Sequence, residues 1–376
     1  MLMEASVERA QMASVRHYVP GGCENGGGIG RLVGYITSTA RRAGATHFVT
    51  DTRGPRWSAA TSSLRLLGAI LTMARDRVVA PARIHHIHVA GRGSTSRKLI
   101  LTEAARVLGC SHILHLHDYD YASDFAARSP RQQALIRRMF QNADCVVALG
   151  QRDHVTLTTL LGVDGHRAVV VHNCVPDPGA LRRLPAGQTP LIVFLGRLSE
   201  RKGVPELLLA LSHPTMKGLQ WRAVLAGDGP VEDYRRQAAA MGLSDLVEMP
   251  GWLGADEIKD LCTRADILVL PSHAEGLAMA VIEGLAHGLA VVTTRVGAHE
   301  EVISDGKTGV FVPVGDQDAL AAALAKLVTD PEMRAELSVK GRVHYLNHFS
   351  MTAYMRSIEK LYETISTQPQ ARVSAS

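Results

Sequence analysis

Residues 267–302 read ILVLPSHAEGLAMAVIEGLAHGLAVVTTRVGAHEEV. Ile267–Leu270 is a short apolar run without alternation, the pattern of a strand covered on both faces. Pro271 ends it, a polar turn carries Glu275 and Gly276, and helical spacing starts near Leu277. Gly288 is placed to close that helix, and Val291–Thr293 starts another strand. Strand, helix and strand in so short a space predict a parallel α/β unit.

Two carboxylates frame this helix. On a straight helix, eight residues from Glu275 to Glu283 span about 12 Å. The paired carboxylates of a glycoside hydrolase stand about 5–9.5 Å apart, so the spacing argues against that pairing. It suits two contacts along one extended ligand, a hexose at Glu275 and a ribose at Glu283. The helix start between them offers backbone N–H groups and the positive dipole end to an anion. The plainer reading is a capping acid and a partly buried helix acid.

The pattern extends outward in both directions. Strands are expected at Leu191–Leu195, Arg222–Ala226, Val247–Met249 and Val310–Val312. After the first of these comes Gly196-Arg197-Leu198-Ser199-Glu200-Arg201-Lys202-Gly203. Arg197 offers a planar fork and Lys202 a mobile point charge, a pair able to neutralise a diphosphate. A Gly-rich turn with Gly227 and Gly229 follows the second strand, and Pro250-Gly251-Trp252-Leu253 follows the third.

In this order the four elements resemble the retaining GT-B glycosyltransferases of family four, also described as glycosyl transferases group 1. The matching residues are Gly196, Arg197, Lys202 and Gly203, then Gly227 and Gly229, then Gly251. Pro271, Ser272, Glu275, Gly276 and Glu283 continue the series, with seven residues between the glutamates. Gly297 and Glu300 or Glu301 close it, and the match covers about residues 190–347. The resemblance implies donor-diphosphate binding by Arg197 and Lys202 and ribose binding by Glu283. It puts the transferred sugar at Glu275 and the backbone of Gly276, Leu277 and Ala278. Gly196 and Gly227 would line the donor, and the loop with Leu253 would meet the base. It implies two facing Rossmann-like domains and a UDP-sugar or GDP-sugar as co-substrate, with no cofactor.

The first half follows the same plan, with strands expected at Val15–Val19, Thr46–Thr50, Arg83–Val89, His112–Leu116, Cys145–Leu149 and Ala168–His172. Helical stretches lie between them at Arg31–Arg42, Leu64–Asp76, Ser96–Leu108 and Arg131–Gln141. A loop richer in glycine than the family's, Pro20 to Arg31, brings Gly28 and Gly30 to the donor side. The same loop raises a dinucleotide reading, with Asp51 about 20 residues on as the ribose acid, hence an NAD-dependent oxidoreductase. Its third glycine, Gly34, breaks the required spacing. His117-Asp118 resembles the family's strand end in which the histidine faces the donor sugar. Asp118 and His88 are candidates for the acceptor side. Asp118-Tyr119-Asp120 spells an Asp-x-Asp metal motif, and His85, His86, His88, His112, His115 and His117 crowd two strands. The histidines lack a Cys or acid to complete a ligand set, and the cationic pair and helix end already neutralise a diphosphate without an ion at Asp-x-Asp, so no metal is expected.

At 376 residues the chain exceeds the usual growth of one core, and 46% hydrophobic residues with 20% charged exclude a disordered chain. The domain division expected is 1–185 for the acceptor, 186–347 for the nucleotide sugar, and 348–376 for a helix returning to the first domain plus a disordered tail. The Pro-rich stretch Val175–Pro190 reads as the linker. Cys23, Cys110, Cys145, Cys174 and Cys262 form no C-x-x-C pair and read as reduced thiols of a cytoplasmic protein. The opening MLMEASVERAQMAS carries acids and no apolar run, so no signal peptide is expected.

The net charge of +5 is uneven, with a basic first half and an acidic second half. No aromatic-rich or Arg-rich recognition motif points to nucleic acid. Arg53–Arg83 combines arginines with an apolar helical stripe. Such a stripe is ordinarily core, but beside Trp57 it also suits peripheral contact with anionic lipid at the inner face of the cytoplasmic membrane. The expected activity is retaining transfer of a sugar to a hydroxyl, the acceptor being a lipid-diphosphate-linked or plain saccharide in polysaccharide, lipopolysaccharide or glycolipid assembly. A non-transferring GT-B protein or a sugar-nucleotide epimerase is the alternative.

Overall fold

The computed structural model describes residues 13–179 and 188–367. The opening stretch to residue 12, the 185/186 division and the tail beyond Thr367 lie outside the described residues.

Two six-stranded sheets form the chain. The first contains β1 (Val15–Val19), β2 (His47–Asp51), β3 (Ile84–Val89), β4 (His112–Leu116), β5 (Cys145–Ala148) and β6 (Ala168–Val170), ordered β2-β1-β3-β4-β5-β6. The second contains β7 (Leu191–Leu195), β8 (Arg222–Ala226), β9 (Val247–Gly251), β10 (Ile267–Leu270), β11 (Ala290–Thr294) and β12 (Val310–Val312), ordered β12-β11-β10-β7-β8-β9. Neighbouring strands pair in parallel throughout. Parallel order requires a crossover after each strand, and helices on both faces bury the apolar runs read as strands.

Local chemistry sets the helix starts. Ser129 accepts from the Gln132 amide while Gln132 reaches back, and Pro130 opens the helix Pro130–Gln141. Asp330 caps Pro331–His348 by accepting from the Met333 amide, with Pro331 in its first turn. One expected start moves: the helix read from Arg31 begins at Gly27, after a single turn at Gly22–Asn25. The glycine-rich segment is therefore largely helical and not an open loop. A second shift matters more. The helix after β10 covers Met279–Ala286, so Glu275 precedes it. The rise per residue of a helix does not set the distance between Glu275 and Glu283.

The final helix, Met351–Thr367, buries Met351, Tyr354, Met355, Ile358, Tyr362 and Ile365. These pack on Val15, Leu32, Ile36, Ile84, Ile113 and Val147 of the first sheet and its cover. Burying each large apolar side chain stabilises by about 1.5–3 kcal/mol, which ties the end of the chain to its beginning.

The helix Ala59–Val79 buries Leu66, Ala69 and Met73 but leaves Leu64, Leu67, Leu71, Val78 and Val79 exposed. Its stripe is thus only partly core, contrary to the ordinary reading. Asp76 on the buried side pairs with Arg16 and Arg83. Burial alone would raise its carboxyl, but the Arg16 contact and both guanidinium charges hold it below the usual range. Among the described residues no helix is long and apolar enough to cross a membrane. The five cysteines are free thiols, four of them buried.

Candidate active site

Glu275 sits on the turn after β10, only 7% exposed. Lys202, on the single helical turn Glu200–Lys202 after β7, places Nζ 2.5 Å from its carboxylate. The Arg201 guanidinium lies 3.5 Å from the same oxygen. Burial would push the carboxyl up, and the two cations reverse this and hold it below the ordinary range. A buried charge persists only when paired in this way.

Arg201 was not singled out from sequence, yet it joins the two halves of the chain. Its guanidinium stands 4.7 Å from the Tyr119 ring of the first domain and donates to the Ala274 carbonyl at 2.5 Å. Its only sequence signal was adjacency to Lys202 in a basic turn. Arg197 stands outside this cluster, with its side chain 63% exposed and a 3.3 Å pairing to the exposed Asp228.

Glu283 lies inside the helix Met279–Ala286, buried, and pairs with Arg31 on the helix Gly27–Arg42 of the first domain. Burial raises its carboxyl, and the Arg31 charge pulls against that. Between the glutamates, Leu277 and Ala278 are buried, and the Leu277 carbonyl accepts from Asn173 Nδ2 at 2.9 Å. At Gly276 a side-chain carbon would lie 3.4 Å from the Asp118 carbonyl, so the facing turns nearly touch.

The glycines separate into two kinds. Gly28 faces Met279 across the cleft. Gly30 does not; a side-chain carbon there would sit 2.6 Å from the Gly22 carbonyl, so its role is close helix packing. Gly227, at φ +158°, has the Gly196 carbonyl where a methyl would go, and Gly196 itself lies beside the Lys202 stem. Leu253 lines a groove at the β8–β9 end of the second sheet with Arg235, Glu257 and Arg264. That groove contains none of Lys202, Glu275 and Glu283.

On the first domain, His117 follows β4 and is half-buried. Desolvation pushes its imidazole down to about 3, so it is neutral. Asp118 spends its carboxylate on the Gly91 and Asp120 amides, each at 2.8 Å, while Asp120 caps the next helix. The Asp-x-Asp acids thus turn to their own backbone. His88, the other acceptor-side candidate, is fully buried. Its Nδ1 lies 2.9 Å from His117 Nε2, which makes it a support for His117.

Two other sequence expectations also change. Asp51 accepts from the amides of Gly21, Arg53 and Gly54, so the acid of the dinucleotide reading is occupied by its own turn. The histidines do form three-ligand groups, one from β3 and the end of β4 alone and one completed by His17 of β1, which sequence spacing did not suggest. His17, His86 and His88 form one group, and His88, His115 and His117 another, with ligand atoms within 4.8 Å of one another. Glu301 closes the cleft from the second domain, accepting from the Gln151 amide at 2.7 Å and meeting His172 at 2.9 Å.

Two facing parallel sheets with a cation–carboxylate cluster where their turns meet define a glycosyltransferase of the GT-B fold. Family models agree: the group 1 glycosyl transferases match residues 182–344, and the glycosyl transferase 4-like domain matches residues 10–174. The chain belongs to the group 1 glycosyltransferases. Among curated relatives, a GDP-mannose-dependent alpha-(1-6)-phosphatidylinositol monomannoside mannosyltransferase of Mycolicibacterium smegmatis is 26% identical, over 91% of this chain and 96% of its own. A putative colanic acid biosynthesis glycosyltransferase of Salmonella typhimurium is 27% identical, over 80% of this chain and 74% of its own. The fold is also that of the sucrose-phosphate synthase of Thermosynechococcus elongatus, with a TM-score of 0.77 at 19% identity over 94% and 99% of the two chains. An Anabaena protein solved in complex with UDP gives 0.71 at 18% identity over 94% and 100%.

Proposed function

We propose that this glycosyltransferase moves a sugar from a UDP- or GDP-sugar to a hydroxyl acceptor with retention at the anomeric carbon. The observation that carries the reading is the Lys202–Glu275 pair, with Arg201 beside it, opposite the turn of His117 and Asp118. A donor lying there has the diphosphate against Lys202, with exposed Arg197 free to swing onto it. Its sugar lies at Glu275 and Gly276–Ala278, and its ribose near Glu283. These cations stabilise the charge that grows on the leaving diphosphate, and domain contact keeps water away. The acceptor attacks from the face the diphosphate leaves; its O–H proton goes to the departing phosphate oxygen. No protein nucleophile, metal or further cofactor enters this scheme.

The acceptor we infer is a lipid-linked or membrane-borne saccharide in glycolipid or polysaccharide assembly. The exposed leucines of the helix Ala59–Val79 beside Arg56, Arg65 and Arg75 support docking on an anionic membrane from the cytoplasm. The donor reading draws support from relatives named for GDP-mannose and from the neighbour holding UDP. Incubating the chain with UDP- and GDP-sugars, with and without membrane extract, tests it through released nucleotide diphosphate. Acceptor-dependent release is expected; none from any sugar nucleotide would overturn the reading.

A further inference from the structure

Six imidazoles lie on one face of the first sheet, under the final helix. His17 on β1 is in register with His86 on β3, and His88 with His115 on β4. His47 and His117 extend the set to β2 and to the end of β4. His17, His86, His88 and His115 are fully buried, next to a mostly apolar layer that includes Val15, Ile84, Ile113, Val147, Ile358 and Tyr362. Polar groups in such a layer need a reason beyond packing.

Four of them form a row. His47 Nδ1 meets His17 Nε2 at 3.1 Å, His17 Nδ1 meets His88 Nε2 at 3.2 Å, and His88 Nδ1 meets His117 Nε2 at 2.9 Å. Every link joins the Nδ1 of one ring to the Nε2 of the next. A neutral imidazole has one N–H and one bare nitrogen. A head-to-tail row is therefore satisfied only when all four rings carry the proton on the same kind of nitrogen. With Nε2–H throughout, His117 is left with a bare Nδ1. With Nδ1–H throughout, His117 is left with a donor. Any mixture puts two protons or two lone pairs into one buried link.

We propose that His88, His17 and His47 are positioning residues that act through His117. The row makes the four rings share one tautomer, and so decides whether His117 offers an N–H or a lone pair to the sugar diphosphate. This rests on the reading above that the donor lies against His117. A phosphate or sugar oxygen is stabilised by an N–H, so the Nδ1–H state is the productive one. His47 and His117, both half-buried, are the two ends at which solvent reaches the row. His86 and His115 form a separate pair at 3.3 Å, anchored to Tyr362 on the final helix. The same rings supply the two three-histidine groups, but the row already uses both nitrogens of His17 and His88.

The test uses the full chain labelled with 15N at histidine, with ring nitrogens read by long-range proton–nitrogen correlation. Ligand-free protein is expected to show one tautomer across His47, His17, His88 and His117. His17→Phe, which keeps a ring but removes both links, should shift the His88 and His117 ring signals. It should lower kcat about 10- to 100-fold with donor KM within about twofold. His17→Gln, whose amide has both a donor and an acceptor, should recover part of kcat. Should His17→Phe fail to fold, His47→Phe at the accessible end breaks the same row and should move the same signals. Unchanged His117 signals, or mixed tautomers in wild type, would overturn the relay. So would one zinc ion per chain that gives metal-bound ring shifts and is lost in His17→Phe. If wild type releases no nucleotide, the functional reading fails while the ring signals still judge the relay.

Discussion

Arg31 and Glu283, 252 residues apart in sequence, form an ion pair that joins the helix Gly27–Arg42 of one domain to a buried helix of the other. Removing Arg31 leaves a buried carboxylate uncompensated, although Arg31 itself is 41% exposed and the loss is screened accordingly. Arg31→Ala is expected to lower unfolding stability by about 1–2 kcal/mol, while the double variant with Glu283→Gln recovers most of it. Urea titration of the three proteins checks this; equal midpoints for wild type and Arg31→Ala would count against the pair.

Lys202 and Arg197 should separate under mutation. Lys202 holds the buried Glu275, so Lys202→Ala is expected to lower both turnover and stability. Arg197 pairs only on the surface, where such contacts contribute about 0–1 kcal/mol, so Arg197→Ala should leave the urea midpoint in place. Both should reduce turnover by about 100-fold or more if each meets the diphosphate. A stability loss in Arg197→Ala, or normal turnover in Lys202→Ala, would contradict this arrangement.

Arg201 offers a sharper comparison, since it contacts both the Glu275 side and Tyr119. Tyr119→Leu removes the ring beneath the guanidinium without touching the carboxylate. Donor KM is expected to rise several-fold, on the order of the 0.5–2 kcal/mol of a cation–π contact, with kcat little changed. A Tyr119→Leu enzyme with unaltered KM would show that Arg201 does not need its cross-domain partner.

The buried histidines predict an acid-side loss of stability. His47 and His85 are held down to about 4, and His86 and His117 to about 3, by desolvation first of all. In the unfolded chain each titrates near 6.5, so below that pH the unfolded state binds more protons. Their contribution is complete at neutral pH and is lost as pH falls from about 6.5 toward 3. Each ring costs about 1 kcal/mol per pH unit in that window. Urea midpoints should therefore drop steeply from pH 7 to pH 5.5, and a flat profile there would refute the burial of neutral rings.

Leu64, Leu67 and Leu71 present an exposed apolar stripe on the helix Ala59–Val79, with arginines beside it. Vesicles containing anionic lipid should bind the chain more tightly than neutral ones, and added salt should weaken the binding. Replacing the three leucines with Ser should abolish it while leaving soluble turnover intact. Equal binding to neutral and anionic vesicles would remove the membrane docking from the functional reading.

Much of the fold was legible in the sequence because strands and helices are written in local periodicity. Ile267–Leu270, Leu191–Leu195 and Val15–Val19 are apolar runs bounded by turn residues, and each is a strand with the bounds read for it. The chemistry near Glu275 was legible for a similar reason: Lys202 and Glu275 each end a turn directly after a strand, where parallel sheets gather their ligand-binding loops. What tertiary structure alone decided depends on which strands become neighbours. His17 stands beside His86 and His88 only because β1 pairs with β3, and no spacing within either segment encodes that register. Arg201 outranked Arg197 as a neighbour of Glu275 because it shares the single helical turn Glu200–Lys202 with Lys202, whereas Arg197 precedes that turn and pairs with Asp228 at the surface. Arg31 reached Glu283 because the two domains close on each other. Local propensity writes elements into short windows of sequence, whereas the partners of buried charged and polar side chains are set by contacts between distant segments.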